Sequence, residues 1–93
     1  MKKFVIERKL PGAGNFSDEE LKGISKTFNE AAQSLGKAYT WVQSFVAGDK
    51  IYCIHIAESE EAIRKHARLS KFPIHVVSEV KAIIDPATSD PAG

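Results

Sequence analysis

Three kinds of side chain in this sequence could hold a metal ion or move a proton. They are a lone cysteine, Cys53; three histidines, His55, His66 and His75; and the carboxylates of Glu7 and Glu79, which lie in strand-like segments. Thiolate, imidazole and carboxylate together suit a borderline transition ion, nickel first, with zinc and copper as the other candidates. Cys53-x-His55 anchors that reading, because residues two apart on a strand point the same way. Glu7 from the first strand, and His75 or Glu79 from the last, would complete the set. C-x-H is not a diagnostic metal spacing, and the bland alternative has Cys53 as a small filler and His55 as a satisfied polar group. His66 shares a helical stripe with Ile63 and reads either as a packed imidazole or as a ligand or proton carrier at a helix–sheet junction. Cys53 and His66 could also be paired as nucleophile and base, but no nucleophile elbow or oxyanion motif accompanies them.

The elements that must position these groups can be read from periodicity and punctuation. Residues 3–10 form a strand headed by Phe4, Val5 and Ile6, and PGAGN at 11–15 is a turn rather than a phosphate loop, because no Gly-Lys-Ser/Thr follows. Ser17 and Glu20 make a capping box for a helix whose stripe is Leu21, Ile24, Phe28, Ala31 and Leu35, with Gly36 as its stop. Strand two covers 38–47, Gly48-Asp49 is a tight hairpin, and strand three is 50–57. A second helix begins at Ser59, carries Ile63, His66 and Ala67 on one side, and ends in Arg68 and Lys71 before Pro73. Residues 74–84 read as a fourth strand, and 86–93 as a flexible tail behind a single domain spanning 1–85.

That order, βαββαβ, predicts an α+β ferredoxin-like sandwich: a four-stranded antiparallel sheet, two helices on one face, and strand one between strands three and four. With a two-residue hairpin, Cys53 lies opposite Ser44 and His55 opposite Val42. Tyr52, Ile54 and Ile56 are the more apolar set of strand three and are expected to face the helices, with Phe4 and Ile6. Cys53, His55 and Ile51 would then share the open face with Val5, Glu7, Lys9, Val42 and Val46, bringing Glu7 near Cys53 or His55. Such a mixed face suits pairing with a second copy of the chain.

Composition narrows the partners. The chain has 93 residues, 43% of them apolar and 27% charged, and a formal net charge of +1. That balance gives no electrostatic footprint for nucleic acid or for an acidic membrane surface. Trp41, Tyr39, Phe45 and Tyr52 lack the basic interleaving of a base-stacking platform and read as core and interface. One cysteine allows no intrachain disulfide, the apolar run after Met1 is broken at once by Glu7 and Arg8, and no segment has the length of a membrane span, so a cytoplasmic setting is expected.

The words FVIERKLPGAG, SDEEL, WVQSFVAGDKIYC, EEAIRKHA, KFP and VSEV…IDP, in that order over about residues 3–88, resemble a family of small, mostly bacterial proteins of unknown function often labelled nickel-binding protein. The resemblance implies a ferredoxin-like fold, a homodimer, and nickel bound at the dimer surface for sequestration or homeostasis. Glu7, Trp41, Cys53, His66 and Glu79 fall within the matching words, whereas His55 and His75 fall outside the family pattern. A second reading is a small-molecule enzyme of the dimeric α+β barrel kind, with Glu7, His66 and Glu79 as acid–base groups in a cavity between sheet and helices. A third is a non-catalytic ligand-binding or interaction module.

Overall fold

In the computed structural model, residues 1–90 are described. Strand β1 (Lys2–Lys9) leads through a short 3-10 turn at Ala13–Asn15 into helix α1 (Asp18–Ser34). Strands β2 (Thr40–Ala47) and β3 (Lys50–Ala57) follow as a hairpin, then helix α2 (Glu60–Ser70), strand β4 (Val76–Glu79) and a second 3-10 turn at Pro86–Ser89. The four strands form one antiparallel sheet in the order β2-β3-β1-β4, the expected ferredoxin-like topology. No helix among the described residues is long and apolar enough to cross a membrane.

Local chemistry explains the boundaries. The Ser17 hydroxyl accepts from the Glu20 amide at 3.1 Å while the Glu20 carboxylate accepts from the Ser17 amide at 3.1 Å, so two otherwise orphaned donors of α1 are satisfied. Ser17→Ala is expected to lower the unfolding free energy by about 1 kcal/mol in urea titration. An unchanged midpoint would show that the cap is not a determinant of this helix. Gly36 follows α1 at φ 87°, a left-handed turn that glycine enters without steric cost. The loop after β1 lies tight against the hairpin: Gly14 donates to the Gly48 carbonyl at 2.7 Å, and a Cβ on Gly14 would stand 2.9 Å from that oxygen.

Strand β4 is shorter than its apolar run suggested. It pairs only with Phe4–Glu7 of β1, with single further bonds from His75 to the Glu7 carbonyl and from Val80 to the Lys3 carbonyl. Past Val80 the chain leaves the sheet, and Ile83 and Ile84 run on exposed. Within the expected tail, Asp85 caps the turn Pro86–Ser89, and residues 91–93 lie outside the described residues.

The core lies between the sheet and the helices. From β1, Phe4, Ile6 and Arg8 point into it; from β3, Ile51, Cys53, His55 and Ala57; from the helices, Phe28, Ala31, Ile63 and His66. The β3 parity is therefore the reverse of the sequence expectation. Cys53 pairs with Ile6 and His55 with Phe4, all beneath the helices, while Tyr52, Ile54 and Ile56 lie on the open face with Val5 and Glu7. Cys53 does lie opposite Ser44, but a bulge between Trp41 and Gln43 places Trp41 rather than Val42 opposite His55.

Candidate functional site

Polar groups buried in a small core have to be explained by their partners, and here four side chains converge under the helices. Arg8, Cys53, His55 and His66 are each 0% exposed. Alternation along β1 delivers Arg8 from the same face as Phe4 and Ile6. Alternation along β3 delivers Cys53 and His55, and the apolar stripe of α2 delivers His66.

The cysteine sulfur is an acceptor. Arg8 Nη1 donates to Cys53 Sγ at 3.5 Å, and the Ser44 hydroxyl donates to the same sulfur at 2.9 Å. The Ser44 oxygen is itself occupied by the indole N–H of Trp41 at 2.9 Å, which leaves its proton directed to sulfur. Burial pushes the Cys53 thiol up, against the pull of the Arg8 guanidinium and the Ser44 hydroxyl.

The two imidazoles have defined roles. His66 Nε2 donates to the Phe28 carbonyl at 3.1 Å, since a carbonyl can only accept, so the neutral ring carries its lone pair on Nδ1. Tyr39 bonds to His55 Nδ1 through its hydroxyl, and burial pushes that phenol's ionisation further up. With the neutral phenol as donor, His55 carries its proton on Nε2. The Tyr39 ring stacks on His66 with centroids 5.0 Å apart, and the His55 and His66 rings meet edge to face at 4.8 Å. Burial, and after it His66 and Arg8, push His55 down to about 3. Burial also lowers His66, partly offset by its bond to Phe28.

Arg8 is the unusual member. Its guanidinium lies 4.9 Å from the centre of the Phe28 ring and its one hydrogen bond goes to sulfur. Burial opposes its charge, yet guanidinium does not deprotonate in proteins, and no carboxylate pairs with it among the described residues. Arg8 Nε and Nη2, His55 Nε2 and His66 Nδ1 are all buried without a partner.

The other expected ligands lie elsewhere. Glu7 is on the open face, its carboxylate accepting from Lys50 at 2.6 Å, a bond that holds its ionisation below the usual carboxylate range. His75 is exposed at the start of β4, its Nδ1 accepting from the Lys9 amide at 3.0 Å, and its own amide donates to the Glu7 carbonyl. Glu79 pairs with Lys81 at 3.2 Å, opposite Phe4 at the far end of β4. Glu7, His66 and Glu79, the acid–base trio of the enzyme reading, are thus on different faces and ends of the sheet and share no pocket. Among the described residues no three His, Cys, Asp or Glu side chains are placed to hold one metal ion.

Sequence reasoning passed over Arg8 and the Tyr39–His55 bond, and it placed Ser44 opposite Cys53 without giving it a role. Arg8 had a signal: it continues the i, i+2, i+4 series begun by Phe4 and Ile6, and so belongs on the buried face.

Comparison with known proteins gives two findings. Residues 4–80 match the family model described as Nickel responsive protein SCO4226-like. The crystal structure of SCO4226 from Streptomyces coelicolor A3(2) superposes with a TM-score of 0.72 at 15% identity, covering 88% of this chain and 99% of that one. No curated protein matches.

Proposed function

The chain belongs to the SCO4226-like family of nickel-responsive proteins, and on that premise we propose that it binds nickel as a homodimer, in handling or sequestering the ion rather than in catalysis. The observation that carries this reading is the family match across residues 4–80. Pairing of two copies is supported by the uncovered sheet face, where Phe45 is 52% and Val76 46% exposed beside the half-buried Val5, Tyr52 and Ile54.

The buried cluster does not fit a dication. Its one permanent charge is the Arg8 guanidinium, 3.5 Å from Cys53 Sγ, and a second positive charge in that low-dielectric site is disfavoured. Cys53, His55 and His66 are therefore set aside as ligands, and Glu79 stands too far along β4 from the other candidates. Glu7 and His75 are joined by the bond from the His75 amide to the Glu7 carbonyl, and both side chains are reachable from solvent. As a carboxylate and an imidazole they would be this chain's contribution to a site completed by the second copy.

Calorimetric titration with nickel, alongside sedimentation, tests this. Wild-type protein is expected to be dimeric and to bind nickel, and Glu7→Gln or His75→Ala to weaken binding by at least about tenfold. Cys53→Ala is expected to leave binding in place. Absence of nickel binding by the wild type overturns the function; loss in Cys53→Ala with retention in the other two overturns the ligand assignment.

A further inference from the structure

The strand-forming run at 74–84 is longer than the strand it makes. Val80, Ile83 and Ile84 are β-branched, yet the ladder to β1 stops at Glu79, with one further bond from the Val80 amide to the Lys3 carbonyl. Residues 81–90 are all exposed, Ile83 at 69% and Ile84 at 80%. The radius of gyration is 14.6 Å, where a compact chain of this length has about 12 Å, and the longest dimension is 45 Å against 30 and 21 Å. Residues 81–84 are thus an arm that stands off the body. Asp85 and Pro86 close it, because Asp85 caps the turn that follows and proline cannot donate to a ladder.

The opposite edge of the sheet is a strand without the usual guards. β2 is outermost and pairs with β3 alone. Its eight residues, TWVQSFVA, include no charge and no proline, and Val42, Phe45 and Val46 are 47%, 52% and 39% exposed. Edges of natural sheets are blunted by lysine, proline, brevity or bulges, and β2 has only the bulge between Trp41 and Gln43. The arm cannot serve its own β2. Four extended residues span at most about 14 Å, and the three strand spacings from β4 to β2 also come to about 14 Å, so the crossing would use up the whole arm.

We propose that residues 81–84 of one copy add as an antiparallel strand to the β2 edge of a second copy, and the reverse, so that two arms clasp the dimer. This rests on the pairing of open faces put forward above and needs no nickel. Both β1 and β2 run antiparallel to β3, and β4 runs antiparallel to β1, so β4 and β2 have opposite directions. A two-fold axis along the strands, between two stacked open faces, preserves those directions and exchanges left for right. It therefore carries the β4 edge of each copy over the β2 edge of the other, in antiparallel sense. Ile83 and Ile84 are consecutive, so an added strand sends one to each side of the sheet. One joins Phe45, opposite Tyr52 on the open face, and the other joins Val46, opposite Ile51 on the helix side. An arm lying flat on a sheet face would bury only one of them. The arm also lies beyond residues 4–80 of the family match, so it is argued from this chain's own residues.

Sedimentation of the full chain, with no nickel present, tests the arm apart from the metal reading. An arm variant, Ile83→Ser with Ile84→Ser, and an edge variant, Val46→Lys, each change exposed side chains, so folding is expected to survive in both. Each is expected to raise the dimer Kd by about tenfold or more. Mixed in equal amounts, they should form a heterodimer tighter than either homodimer. The reason is that the intact arm of the edge variant then meets the intact edge of the arm variant. Amide exchange supplies a second measurement. The β2 amides directed away from β3 should be protected in the wild type and exchange freely in the arm variant. An unchanged Kd in both variants, no preference for the heterodimer, or free exchange of those amides in the wild type would each overturn the arm while leaving face-to-face pairing in place. A monomeric wild type would overturn the arm and the pairing together.

Discussion

Phe28→Ala is expected to lower the unfolding free energy by about 3–5 kcal/mol, the largest effect of any single truncation in this core. Phe28 is fully buried and stands where the helices meet the sheet. Its ring makes edge contacts with Trp41 at 5.3 Å and Phe72 at 5.0 Å, with His66 at 5.8 Å, and lies under the Arg8 guanidinium. Truncation removes the transferred apolar area, leaves a cavity, and strips a buried cation of the aromatic face that partly solvates it. Native domains have only about 5–15 kcal/mol in hand, so the variant should sit near its unfolding midpoint in little denaturant. Guanidinium titration of wild type and variant measures this directly. A loss below about 1.5 kcal/mol would mean that the core closes around the missing ring and that Phe28 is not its centre.

Acidification is expected to be the second large effect, beginning at a pH set by histidines rather than carboxylates. In the unfolded chain a histidine titrates near its ordinary value of 6.5, while burial keeps folded His55 neutral down to about 3 and His66 neutral below its ordinary value. Both groups have lowered folded-state values, so the unfolded state binds more protons and stability falls as pH falls. The loss starts at the unfolded value and, for His55, continues to about 3. His55 contributes a slope of about 1.4 kcal/mol per pH unit below about pH 6, and His66, lowered in the same direction, adds to it. The charged and titratable neighbours facing them, Arg8 from β1, Cys53 from β3 and Tyr39 from the α1–β2 connection, include none that would favour an imidazolium. Glu7, lowered by Lys50, adds to the loss only in the carboxylate range. Urea titrations at steps between pH 7 and 4.5 measure the slope, and His55→Phe should remove about 1.4 kcal/mol per pH unit of it. A flat profile over that interval would show that the imidazoles are protonated in the folded state.

Much of the architecture was legible in the residues. The capping box at Ser17 and Glu20, the hairpin at Gly48-Asp49, the left-handed stop at Gly36 and the two apolar stripes each act within a few residues, so local physics determines them. Those elements in βαββαβ order leave few sheet topologies open, and β1 in the middle of the sheet followed from the order itself. The matching words over most of the chain pointed by themselves to the nickel-responsive family.

The polar set met at the outset, Cys53, His55, His66, His75, Glu7 and Glu79, was legible as residues but not as a site. KIYCIHIA is apolar on both sides, so periodicity alone could not say which side faced the helices. That choice is collective. Cys53 and His55 can turn inward because Arg8 and Ser44 meet the sulfur, Tyr39 meets one imidazole, and a ring from α2 meets that imidazole edge to face. Those partners come from four other segments, 45 residues away in the case of Arg8 and Cys53. The sequence by itself determined the elements, their order and the family. Only the tertiary structure decided that the cysteine and two of the histidines lie buried against an arginine, because the partners that make their burial tolerable are brought together by the fold alone.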